Sequence, residues 1–119
     1  MEKQTVNFSD VSNASNPYSS TPSAITDGVA VPAWATKAQL VAHVTSKTST
    51  PTVPLAWKAK RRKSEEWVGI PTASIATIIG RDDDLWAIEV ECALWGRICP
   101  YVTGESGTFN MELSVTFTE

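Results

Sequence analysis

Residues 109–118 alternate throughout: Phe109, Met111, Leu113, Val115 and Phe117 fall on one side, Asn110, Glu112, Ser114, Thr116 and Thr118 on the other. Successive side chains of an extended strand point to opposite faces, whereas a helix would spread these residues around its circumference. The stretch predicts a β-strand with one buried face, and such a strand needs a second layer to cover it. Gly104-Glu105-Ser106-Gly107 supplies the turn leading into it.

The same two-residue period recurs upstream. Trp86, Ile88, Val90, Cys92 and Leu94 oppose Ala87, Glu89 and Glu91, and Leu55, Trp57 and Ala59 share one side of 54–60. Residues 72–80 form a short apolar run closed by Gly80, and Asp27-Gly28 punctuates the chain ahead of Val29 and Val31. Segment 32–47 is ambiguous. Pro32 followed by Ala, Lys, Gln and Leu suits a helix, while Leu40, Ala42 and Val44 alternating with Gln39, His43 and Thr45 suit a strand. Among so many strands, 38–47 reads as a strand. Short strands separated by turn residues predict an all-β fold: a single antiparallel β-sandwich, jelly-roll or Ig-like, over residues 25–119, with a small barrel as the alternative. A hydrophobic fraction of 42% and five tryptophans are enough for its core.

Residues 1–24 read differently. Thirteen of the 24 are Ser, Thr, Asn or Pro. A segment that polar cannot offset its own ordering entropy by burial. It is expected to be an extended N-terminal arm lying across a neighbouring subunit, with Val6, Phe8, Val11 and Tyr18 in that neighbour's grooves. Removing residues 1–20 should then leave the domain folded and abolish assembly.

Charge gives little direction, since the net value is −3 and exerts no overall pull toward nucleic acid or an anionic membrane. Five of the ten Lys and Arg residues nevertheless fall in Lys58–Lys63. The run reads as a solvated loop offset by Glu65 and Glu66, or as a contact for an acidic partner or, less readily, nucleic acid. Asp82-Asp83-Asp84 suits a tight charged turn, because its surroundings lack the spacing of a calcium loop.

No catalytic residue, metal-ligand set or cofactor motif is assigned. His43 is the sole histidine and falls in the polar register of its strand, and two cysteines with one remote histidine do not make a metal site. Glu89 and Glu91 mark a solvent face. Cys92 and Cys99 would point to opposite faces of one unbroken strand, or could meet if the chain turned at Gly96-Arg97; buried free thiols suit a reducing site of synthesis. Exposed aromatics are a better lead. If the strand runs on through Leu94, Trp95, Arg97 and Tyr101 share an outward face with Glu89 and Glu91, a composition enriched at protein interfaces and equally suited to stacking on a sugar. A bulge at Gly96 would instead turn Trp95 inward.

The segment Val31-Pro32-Ala33-Trp34-Ala35-Thr36-Lys37-Ala38-Gln39-Leu40-Val41-Ala42-His43-Val44 resembles an opening found in small β-sandwich proteins of tailed-bacteriophage virions. Gly104-x-x-Gly107-Thr108 before an alternating strand is similar to the close of the same proteins. The resemblance implies a non-enzymatic capsid-decoration, auxiliary or fibre protein. Its partners would be capsid or tail subunits and copies of itself, with no small-molecule substrate or membrane. The apolar-poor start Met1-Glu2-Lys3-Gln4 lacks a secretory signal, so the host cytoplasm and then the virion are the expected locations. A carbohydrate-binding module using Trp95 and Tyr101 is the alternative.

Overall fold

The computed structural model describes residues 2–8, 11–12, 28–63, 66–70, 76–77, 84–102 and 106–119. They form ten strands: β1 (Lys3–Asn7), β2 (Val11–Ser12), β3 (Val29–Ala30), β4 (Lys37–Thr52), β5 (Pro54–Arg61), β6 (Trp67–Gly69), β7 (Ala76–Thr77), β8 (Leu85–Glu91), β9 (Trp95–Val102) and β10 (Ser106–Thr118). Sheet A has the order β1-β10-β4-β8, with β2 also on β10; sheet B has the order β3-β9-β5-β6, with β7 also on β5. Every pairing is antiparallel. The two sheets pack face to face, so the fold is an all-β sandwich.

The pairings are nested. β1 pairs with β10, β3 with β9, β4 with β8, and β5 with β6. The chain thus runs out and back like one long hairpin, closed into two sheets by the β10–β4 and β9–β5 ladders.

The inner faces follow the predicted alternation. Phe109, Met111, Leu113, Val115 and Phe117 of β10 are all buried, opposite Ala38, Leu40, Ala42 and Val44 of β4 and Leu55, Trp57 and Ala59 of β5. Segment 32–47 is strand from Lys37 on. The chain changes sheet in one residue between β4 and β5, at the fully buried Val53. Pro54 then opens β5, the position where a residue without an N–H is best tolerated.

Three expectations need correction. Lys3–Asn7 is not an arm outside the domain but the edge strand of sheet A, in register with Ser114–Thr118. Val6 and Phe8 pack against the protein's own core, and the Phe8 ring meets Trp57 edge to face at 5.7 Å. Val11 is in register with Met111 of the same chain. Tyr18 lies outside the described residues. The fold therefore starts at Lys3 rather than at residue 25, because backbone pairing along β10 supplies what this polar segment's side chains cannot.

Secondly, β8 does not run on into β9. A turn closed by Trp95 N–H donating to Cys92 O carries the chain from sheet A to sheet B. Leu94, in the apolar register of the sequence, sits in that turn and is 66% exposed. Thirdly, Ser106 and Gly107 already belong to β10 rather than to the turn before it.

Cys92 and Cys99 are both buried. Burial pushes the Cys92 thiol above its ordinary pKa; Arg62 opposes this shift and Glu91 adds to it.

Candidate functional site

Sheet A presents a hollow on its outer face, of about 460 Å³. Asn7 (β1), Glu112 and Ser114 (β10), Val41 and His43 (β4) and Leu85 (β8) line it. His43 stands opposite Glu112 on one side and Leu85 on the other, with Ser114 opposite Val41. Ser, His and Glu therefore meet here, and their chemistry can be judged. Among the described residues no hydrogen bond joins His43 to Ser114 or Glu112. Strands β4 and β10 are each paired on both sides by neighbouring strands. Among the described residues no group of three His, Cys, Asp or Glu side chains is placed to hold a metal; Asp82 and Asp83 lie outside them.

Sheet B's outer face is chemically different. In β5, Leu55, Trp57 and Ala59 take the inner register, which turns Lys58 and Lys60 outward. Lys60 is in register with Arg97 of β9 on one side and Trp67 of β6 on the other. Its ammonium lies 4.9 Å from the centroid of the Trp67 ring. Lys58 is in register with Cys99 and reaches the Tyr101 ring at 4.5 Å. Arg97 Nη2 donates to Gly28 O at 3.3 Å. Three cations and two rings thus form one stripe. Among the described residues no carboxylate pairs with Lys58 or Lys60. Each ammonium over a ring gains a cation–π attraction.

The rest of the basic run does other work. Arg61 and Lys63 are exposed at the end of β5, and Lys63 holds a left-handed φ of 64° in the turn. Arg62 is structural: its N–H donates to Leu94 O at 3.1 Å, and its guanidinium donates to Ala93 O and Pro32 O, both at 3.3 Å. It fastens the turn between the sheets.

The proposed Trp95–Arg97–Tyr101 patch does not form. The β5–β9 ladder slips between Lys60 and Arg61, so that Lys60 opposes Arg97 while Arg61 opposes Trp95. Gly96 is the extra residue of a bulge, which reverses the face of everything before it. Trp95 consequently packs against the core and donates its indole N–H to Glu91 O at 3.0 Å. Glu89 and Glu91 lie on β8 in sheet A, away from Arg97 and Tyr101 on sheet B. Arg97 and Tyr101 keep the outward register; their neighbours are Lys58, Lys60 and Trp67. The signal missed in the sequence was the alternation of Lys58 and Lys60 with Trp57 and Ala59, which makes half of the run a strand face rather than a loop.

Gly28 holds the edge of this face. Its φ is +71°, and a Cβ there would lie 2.1 Å from Ile98 O and 2.7 Å from Cys99 Cβ. Only glycine allows β3 to approach β9 this closely, which helps bury Cys99 although that residue has the outward register.

No protein-family model, no curated protein and no solved structure matches the chain.

Proposed function

We propose that this protein is a non-enzymatic structural component of a bacteriophage particle, attached through the outer face of sheet B to a larger capsid or tail subunit. The observation that carries this reading is the stripe itself: Lys58 and Lys60 are held over aromatic rings, without a carboxylate of the described residues to pair with them. Aromatic side chains and Arg are the groups enriched where protein surfaces meet, and oriented charge sets the register of such contacts.

The nested strand order supports a jelly-roll rather than an Ig-like reading of the sandwich. Jelly rolls are used by viral capsid and lectin domains, so the fold is an analogy in favour of both a virion role and a sugar-binding one. The sugar platform considered for Trp95 and Tyr101 loses its geometry because the two rings are on different faces. That favours assembly. The virion setting itself rests on the sequence resemblance, with capsid or tail subunits and further copies of the chain as partners, and the host cytoplasm as the site of synthesis.

The test is peptide mapping by mass spectrometry of density-purified particles released from cells that express the chain, together with a variant carrying Lys60→Glu. The reading predicts the wild-type chain in the particles at a fixed ratio to the major subunit, and the variant in the soluble fraction. Wild-type chain confined to the soluble fraction contradicts it.

A further inference from the structure

We infer that the stripe on sheet B receives an extended acidic segment of the partner protein, with carboxylates at alternate positions. This rests on the reading of that face as the attachment surface and names what it would hold. Lys58 and Lys60 are two residues apart on one strand and point the same way, so their stems are separated by roughly 6.6–6.8 Å. Carboxylates at positions i and i+2 of an extended segment repeat at the same distance. Such a segment laid along β5 brings one acidic side chain to Lys58 and the next to Lys60, beside Arg97.

Nucleic acid fits this face less well. Each ring carries an ammonium group over it, which a stacking base would have to displace. The overall charge of −3 also opposes a polyanion approaching from a distance, whereas a short acidic segment needs only the local field.

The experiment uses the full chain and two fluorescein-labelled peptides of identical composition, one with glutamates at alternate positions and one with the same glutamates consecutive. Fluorescence anisotropy should show the alternating peptide binding about tenfold more tightly than its isomer, with affinity falling as salt is added. The double variant Lys58→Gln/Lys60→Gln should lose about tenfold or more, while Lys37→Gln on sheet A changes nothing. Near-UV circular dichroism verifies that the double variant keeps its packing; if it does not, each single Gln variant is titrated instead and should lose part of the affinity.

Equal binding of the two isomers, or binding indifferent to the double variant, overturns the inference. So does a short single-stranded oligonucleotide that binds more tightly than the alternating peptide in a Lys58- and Lys60-dependent way. If neither peptide binds but the double variant still fails to join particles, the segment is wrong and the attachment face stands. If particle incorporation is also unchanged, both are wrong.

Discussion

Sheets A and B share one core, yet they handle the polar side chains of their outer faces in opposite ways. On sheet A several of those side chains are matched within the chain. Thr5 and Thr116 share a hydroxyl hydrogen bond at 3.0 Å, Asn110 donates to Ser46 at 2.9 Å, and Lys37 lies 3.6 Å from Glu89. Lys47 of β4 is paired with Asp84, directly before β8. On sheet B the cations of β5 face rings rather than carboxylates. A face whose hydrogen bonds and charges are settled internally has little to offer a partner. Sheet B's face keeps the ammonium groups of Lys58 and Lys60 over half-buried aromatics in view, and it is the face proposed for attachment.

The largest effect expected from breaking this contrast comes at the edge of sheet B. Gly28→Ala combines a left-handed backbone with a direct clash on Ile98 O, and should cost about 3 kcal/mol or more in urea unfolding. Gly69→Ala, on the other edge of the same sheet with open space around it, should stay within about 0.5 kcal/mol. Equal costs at the two glycines would show that β3 does not depend on the close approach described.

Next in size is Phe8→Ala, expected to destabilise by about 2 kcal/mol through lost burial and loss of the edge contact on Trp57. The measurement is thermal unfolding at low protein concentration. Unchanged stability would restore the N-terminal segment to the role of an arm serving only a neighbour.

Much of sheet A was legible beforehand because its strands are long and one face is buried along their whole length. The alternation of β10 and the strand reading of 38–47 both followed from a period of two. Sheet B was harder. Its path depends on a one-residue corner at Val53, a turn at Cys92–Trp95 and an extra residue at Gly96, and each resets which side chains share a face. A local period cannot anticipate such resets. β1 was missed for another reason: Lys3-Gln4-Thr5-Val6-Asn7 carries almost no apolar signal, and its place is fixed by backbone hydrogen bonding to β10, which any extended sequence of that length can make. The candidate site was legible only as a cluster of charge; its division into an outward pair, a structural Arg62 and exposed ends came from the ladder.

A smaller effect sharpens the account of sheet A. Thr116→Ala removes one hydroxyl pair from the outer face of sheet A and should change stability by no more than about 1 kcal/mol in chemical denaturation, with no effect on particle incorporation. A variant that stayed folded but failed to assemble would move the attachment surface to sheet A.

The contrast between the faces can be read directly by hydroxyl-radical footprinting of the free protein and of the same protein in the particle proposed to hold it, with oxidation located by mass spectrometry. Trp67 and Tyr101 on sheet B should be labelled when free and protected in the particle, while Leu85, 44% exposed on sheet A, is labelled equally in both. Protection of Leu85 with Trp67 and Tyr101 still open to labelling would contradict the account.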